Sequence, residues 1–415
     1  MSLIGPEKKN SKTGWLVTAS VILVAMIGAA VCLGIRFLNK RAEVSPSDIA
    51  PEPVAVSLSD TSVEVGKRLS YQLSASGGKN IVFRSSDEAV ATVDETGLVK
   101  GVATGECTVT AENEDGSRAD CRVTVKKVCY LSIDDGPTDS TESILAVLKE
   151  YDVKATFFVV GSRNSYLHLT KNMEEQGCVV GLHSDAHVFK TCYATNSSFF
   201  RGIELLADSV NQYIEKPCTL LRFPGGTNTS RCKPLWMRRN LNGAADLGYR
   251  VFDWTATSAD TSPKASANYS FKSVKKTCTE DEEIILMHDR WFNVEALKKI
   301  IPYLREKGYL FATLDLYPDE SYHFMPRYSK DHKDQPAKSV RITHKNYPIY
   351  QGGQGYLTAV MNPENSTDFV RWESADPSIA SVDATGCVRA LKKGETDIYA
   401  ITSSGQRGSC HVTVL

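Results

Sequence analysis

Several short segments of this 415-residue chain concentrate side chains able to do acid–base and metal chemistry. Asp134-Asp135-Gly136-Pro137 closes the apolar run VCYLSI. His183-Ser184-Asp185-Ala186-His187 spaces two imidazoles four residues apart. On a helical turn that spacing puts both on one face, as zinc hydrolases use it. Arg222 opens an RFPGG turn, Asp253 and Asp260 bound the stretch DWTATSAD, and His288 follows IILM. Singly, each has an ordinary reading. Asp-Gly and Gly-Pro are turn pairs, RFPGG can be a plain loop, and a lone histidine after an apolar run is more often a satisfied core residue. Together the set is chemically sufficient. Two His and one Asp make a three-ligand site with a position left for water, the pattern of catalytic rather than structural zinc. A second carboxylate can serve as base toward that water, and a further His can protonate a leaving group.

Those residues need elements to bring them together, and the middle of the chain supplies a regular series. Apolar runs occur at 128–133, 155–160, 178–182, 219–223, 249–253, 283–287 and 309–313. Amphipathic stretches such as TESILAVLKEY and VEALKKIIPYLREKG alternate with them. This alternation predicts parallel strands wound with helices into a barrel or open sheet of about seven strands. The polar clusters begin where the strands end. In parallel α/β folds the C-terminal rim of the strands is where sites are built, so the groups are expected to converge there. Asp134 and Asp135, as successive residues of a strand, are expected to diverge to opposite sides.

The rest of the chain is different in kind. Residues 54–126 and 338–415 read as short alternating strands with turns, two small all-β sandwiches. They are copies of one another: SDEAVATVD from Ser86 aligns with ADPSIASVD from Ala375, and Gly97, Gly105 and Cys121 align with Gly386, Gly394 and Cys410 without a gap. A turn near Glu114-Asp115 would set Cys107 opposite Cys121, within reach of a disulfide. The second copy has Thr396 opposite Cys410, so such a bridge would not be essential to the fold. Residues 39–53 and 318–337 read as linkers. From Trp15 to Ile35 no residue is charged. A helix over 15–38 is long enough to cross a bilayer and predicts a signal-anchor, with residues 1–14 cytoplasmic and everything after it extracytoplasmic. A cleaved signal peptide and a lipidated Cys32 are the alternatives for this segment. Eleven cysteines, an odd number without a CxxC pair, argue against a full disulfide framework and a thiolate zinc site. The formal net charge of -1, with no long basic run, gives no reason to expect nucleic acid.

LSIDDGPT, HSDAH, RFPGG, DWTATSAD and ILMHD, in this order, resemble the five motifs of the polysaccharide deacetylases, carbohydrate esterase family four. The flanking S-D-x-x-V-A-T-V-D-x-x-G repeats resemble bacterial immunoglobulin-like domains of group two, surface spacers or adhesive modules. The first resemblance covers residues 127–317. It implies a distorted (β/α) barrel and metal-dependent removal of acetyl groups from peptidoglycan, chitin-like glucosamine polymers or xylan. It implies Asp135, His183 and His187 as ligands of a divalent metal, usually zinc. It implies Asp134 as general base, Arg222 as its orienting partner, His288 as general acid and Asp260 as support for that acid. It also implies Gly225 as a backbone N–H beside the oxyanion and Leu286 as a wall of the acetyl pocket. Many members carry Trp after the fourth-motif aspartate, where this chain has Thr261. Asp253-Trp254 is the alternative reading of that motif, with Trp254 as a second pocket residue. The expectation is a membrane-anchored enzyme that deacetylates the N-acetylated glycan of the cell wall, peptidoglycan first. Other acetylated polymers, or surface adhesion through the flanking domains, are the alternatives.

Overall fold

In the computed structural model, residues 55–324 and 334–415 are described. The expected membrane segment and the whole first linker, residues 39–53, lie outside them. Among the described residues no helix is long and apolar enough to cross a membrane.

The central domain is a parallel sheet wrapped by helices. Its strands are β1 (Arg118–Gly136), β2 (Thr156–Val160), β3 (Val179–Ser184), β4 (Leu220–Leu221), β5 (Arg250–Val251), β6 (Ala256–Thr257), β7 (Glu282–His288) and β8 (Tyr309–Ala312). The hydrogen-bonded order is β5-β4-β3-β2-β1-β7-β6, and β8 pairs with the lower part of β1. Each of the seven expected runs overlaps one strand, and the 128–133 run lies inside the much longer β1. β6 is an eighth strand, two residues long, which alternation did not single out. The longer helices are α1 (Thr141–Glu150), α2 (Asn196–Val210), α3 (Pro234–Asp246), α4 (Ala267–Thr277) and α5 (Trp291–Glu306).

Strand parity decides what goes where, because successive side chains alternate between faces. Cys129, Leu131 and Ile133 of β1, Phe157 and Val159 of β2, Leu182 of β3 and Ile285 and Met287 of β7 pack into the large core shared with the helices. The intervening Val128, Tyr130, Phe158, Leu220 and Ile284 form a second apolar cluster on the opposite, inner face. Continuing the same parity up each strand places Ser132, Asp134, His183, Leu286 and His288 on the inner face above that cluster. The apolar cluster lies lower on this face, and the polar residues stand at the C-terminal ends of the strands above it.

Two sandwiches flank this domain, and both pack against it. The expected boundary at Lys126/Lys127 falls inside β1, which is 19 residues long. Its first half pairs with Gly105–Glu112 and Ser62–Gly66 of the first sandwich, and its second half lies inside the parallel sheet between β2 and β7. Lys67 and Arg68 of the first sandwich add ion pairs to Asp281, Glu282 and Asp319. The second sandwich inserts Phe369, 3% exposed, into the core of the central domain. Its ring lies 4.6 Å from that of Phe200 on α2. Residues 318–324, expected to be polar linker, instead pack on the barrel: Tyr322 bridges to Phe252, and the Phe324 N–H donates to Asp253.

The repeated V-D-x-T-G turn has the same physical cause in both sandwiches. Asp94 and Asp383 each accept hydrogen bonds from the following Thr and the backbone beyond it. Gly97 and Gly386 then take φ near +82° and +77°, which favours glycine. The proposed hairpin bridge is overturned. Cys107 pairs with Val123 and Cys121 with Val109, a slip of two residues, and both thiols are free.

Candidate active site

The first aspartates do not diverge as a regular strand would make them. Asp135 takes φ +67°, and the register between β1 and β2 shifts between Phe158 and Val159. This local bulge turns both carboxylates toward His183: Asp134 Oδ2 lies 3.9 Å and Asp135 Oδ1 3.6 Å from its Nε2. The two imidazoles do not share a helical turn either. His183 is in β3, and His187 sits in the bend beyond it with φ +48°. The ring centroids are 5.0 Å apart. Holding two non-glycine residues at positive φ costs about 1–3 kcal/mol each and persists where the surroundings over-determine it. Here the strain falls on two of the three candidate ligands.

These three residues fit a divalent metal. The ligand atoms of Asp135, His183 and His187 all lie within 4.8 Å of one another. His187 Nε2 is 3.3 Å from Asp135 Oδ1. Tetrahedral ligation at about 2.0–2.1 Å separates ligand atoms by roughly 3.3 Å. Asp135 Oδ1 is buried and has no hydrogen-bond partner, a costly state for a carboxylate oxygen unless a cation satisfies it. His183 Nδ1 meets the Arg222 carbonyl at 2.7 Å and so carries the proton. The lone pair is left on Nε2, toward the other ligands. Burial pushes the His183 pKa below the ordinary imidazole range, against the pull of Asp134 and Asp135, which favours the neutral, ligating form.

Arg222, fully buried, organises the other side. Its guanidinium donates to Asp134 Oδ1 and Ser132 Oγ, both at 2.8 Å, and to the carbonyls of Phe252 and Asp253. The plane lies over Phe158, 4.3 Å from the ring centroid. Asp134 is therefore held through Oδ1, while Oδ2 faces the ligand cluster. Ser132 was missed in the sequence reading, although it stands two residues before Asp134 on the same strand face. Gly225 and Gly226 form the turn after Arg222 at φ +74° and +75°. A β-carbon on Gly226 would press on Asp253 and Trp254 at 3.0 Å.

Asp260 and Asp253 separate clearly. Asp260 Oδ1 accepts from His288 Nδ1 at 2.7 Å, and Oδ2 accepts from the His288 backbone N–H at 2.7 Å and from Asn293 Nδ2 at 2.5 Å. Burial opposes the His288 cation, but the Asp260 carboxylate outweighs it and raises the His288 pKa. Burial would raise Asp260 as well, yet the hydrogen bonds from His288 and Asn293 bring its carboxyl below the usual range. With Nδ1 committed to Asp260, Nε2 is the nitrogen left for chemistry. Asp253 instead spends its carboxylate on Thr227 and the Phe324 N–H, fastening the loop after RFPGG. Burial raises its pKa despite those bonds. Trp254 packs at 5.4 Å, edge to face, on Phe324. Leu286 is buried and lies beside Ser132 in the β7–β1 register.

Two further residues were given no role in the sequence reading, although Asp289 closes the ILMHD motif. Asn293, in the first turn of α5, donates to both Asp260 and the His288 carbonyl. Asp289 accepts from the hydroxyls of Thr138 and Thr141 and donates its N–H to the Asp134 carbonyl, tying the end of β7 to the end of β1. A β-carbon on Gly136 would meet the Asp289 carboxylate at 2.6 Å, so this approach needs glycine.

Known proteins resemble this chain in sequence over the same region. The family described as polysaccharide deacetylase matches residues 122–252, and that of the bacterial Ig-like domain, group 2, matches residues 52–123 and 336–412. The chain is 33% identical over 215 residues to a peptidoglycan-N-acetylglucosamine deacetylase of Bacillus cereus, covering 50% of this chain and 75% of that protein. A second protein of that name from the same organism is 30% identical over 203 residues, covering 46% of this chain and 87% of its own length. The crystallised catalytic domain of a peptidoglycan N-acetylglucosamine deacetylase from Eubacterium rectale is 29% identical, with a TM-score of 0.47, covering 49% of this chain and 94% of that one.

Proposed function

The chain belongs to the polysaccharide deacetylases, and from that premise we propose that it removes N-acetyl groups from cell-wall peptidoglycan with a zinc ion held by Asp135, His183 and His187. The observation that carries the reading is the convergence, at one rim, of that ligand set, the Asp134–Arg222 pair and the His288–Asp260 pair. The relatives act, by their names, on N-acetylglucosamine of peptidoglycan, which supports the same sugar here.

The reaction adds water across an amide and releases acetate and an amine. The chemistry the cation supplies when bound is Lewis acidity toward the acetyl carbonyl and toward water. Asp134 takes the proton of the attacking water at Oδ2, with Oδ1 held by Arg222. The Gly225 backbone N–H is assigned to the developing oxyanion. His288 passes a proton from Nε2 to the sugar nitrogen as the C–N bond breaks, because an unprotonated amide anion leaves poorly. Asp260 stabilises the imidazolium in waiting. Leu286 and Trp254 are assigned to the wall of the acetyl pocket.

The proposed location rests on residues 15–38. Their uncharged run from Trp15 to Ile35 is long enough to span a bilayer and supports an uncleaved membrane anchor with the enzyme on the wall side. Mass spectrometry of purified peptidoglycan, chitin oligomers and acetylated xylan after treatment with the full chain and zinc tests the proposal. Loss of acetyl units from peptidoglycan is expected. Loss only from xylan or chitin would move the substrate, and loss from none would overturn the activity.

A further inference from the structure

An exposed aromatic residue stands just beyond the strand that carries the acid histidine. Trp291 is the most exposed large hydrophobic residue among the described residues, at 77%. It is the first residue of α5 and follows His288, the last residue of β7, by three positions. We propose that Trp291 is a stacking platform for the pyranose ring next to the N-acetyl sugar being deacetylated, a subsite for the polymer rather than for the acetyl group.

Exposure alone would not carry this, since single exposed apolar side chains are ordinary. A second, independent observation is how firmly the turn beneath Trp291 is held. Asn293, two residues on and 1% exposed, donates to Asp260 Oδ2 at 2.5 Å and to the His288 carbonyl at 2.8 Å. Its backbone N–H closes the turn onto the Arg290 carbonyl at 2.9 Å. The neighbouring Asp289 is buried and bonded to Thr138 and Thr141. The backbone of Trp291 is thus fixed to the acid pair on one side of it and to the Asp134 strand on the other. The solvent-facing indole, carried on this held turn three residues after the acid, forgoes burial in the free protein. Phe292, edge-on at 5.7 Å, is the ring packed against it.

The occupant follows from chemistry. A β-linked glucosamine ring has a flat face of axial C–H groups and a rim of polar substituents. Stacking removes apolar area from water on both partners while the rim stays hydrated. The inference rests on the glycan reading above, and its test is built to fail separately from it.

Steady-state kinetics are compared on two probes with zinc-loaded full chain: an N-acetylglucosamine tetramer and a small aryl acetate that has no second sugar. Trp291→Ala is expected to lower kcat/KM on the tetramer about five- to tenfold more than on the aryl acetate, through KM. Trp291→Tyr is expected to recover most of that difference. Tyr350→Ala removes an equally exposed ring, 76%, from the second sandwich and is the control. It is expected to leave the ratio of the two activities at the wild-type value. Equal losses on both probes, no rescue by Tyr, or the same loss from Tyr350→Ala would each overturn the platform. A wild-type chain that hydrolyses the aryl acetate but no glycan would overturn the glycan reading instead.

Discussion

Replacing Asp260 with Asn alters one group of the acid pair and leaves its packing in place. The carboxylate accepts three hydrogen bonds, one at Oδ1 from His288 Nδ1 and two at Oδ2 from the His288 backbone and Asn293. Asparagine offers an acceptor on one side only. If its NH2 faced the two donors at the Oδ2 position, both would be unsatisfied in a buried place, at about 1–3 kcal/mol each. The other orientation wins, and its NH2 then faces His288 Nδ1. An imidazolium needs a proton on both nitrogens, so the protonated acid loses its charge-assisted bond, worth about 1.5–3 kcal/mol. At roughly 1.4 kcal/mol per factor of ten, kcat near neutral pH should fall about ten- to a hundredfold. The sign of the pH effect follows. In the wild type, Asp260 raises the His288 pKa against burial, so the acid stays protonated to a higher pH. In Asp260→Asn burial acts unopposed by that carboxylate, and the alkaline limb of kcat moves to lower pH. The assay is kcat against pH on the N-acetylglucosamine tetramer, with zinc content measured on the same samples. An unmoved alkaline limb and unchanged kcat, with zinc retained, would refute the acid–support assignment.

Asp134→Asn should keep its metal and lose about a hundred- to ten-thousandfold in turnover, whereas Asp135→Asn should lose metal and regain part of its activity in excess zinc. Metal analysis and turnover on both variants read this directly, and an empty Asp134→Asn site beside a loaded, inactive Asp135→Asn would exchange the roles. Asn293→Ala should lower kcat with little change in metal content, and Asn293→Asp should lower it further, because a second carboxylate would face Asp260 Oδ2 where a donor now stands. Phe369→Ala should destabilise the docking of the second sandwich by about 3–5 kcal/mol, read as a lower denaturation midpoint and faster proteolysis between the central domain and that sandwich.

Much of the architecture was legible because it depends on periodicity and on short motifs. Alternating apolar runs give strands wherever they occur, and the gapless repeat identified two equivalent sandwiches before any coordinates. The site types were legible too, since Asp134, Asp135, His183, Arg222 and His288 each sit at the end of an apolar run, where parallel strands end. Strand parity would also have yielded Ser132, two residues before Asp134.

Other features depended on geometry that no local pattern encodes. The sequence spacing of His183 and His187 suits a helical turn, but a strand followed by a positive-φ bend brings the rings together. A bulge at Asp135, rather than strand alternation, turns two neighbouring carboxylates toward one imidazole. Asp260 was the favoured support for the acid with Asp253-Trp254 as the alternative, and the fold puts Asp260 on His288 and Asp253 on Thr227. Asn293 is invisible in sequence because its partners lie 33 and 5 residues away. Cys107 and Cys121 miss each other by a register slip of two residues. The sequence by itself determined which residue types reach which face of each strand, because that follows from a period of two. Which of them meet was decided by bulges, positive-φ turns and long-range hydrogen bonds, whose energies belong to the assembled structure.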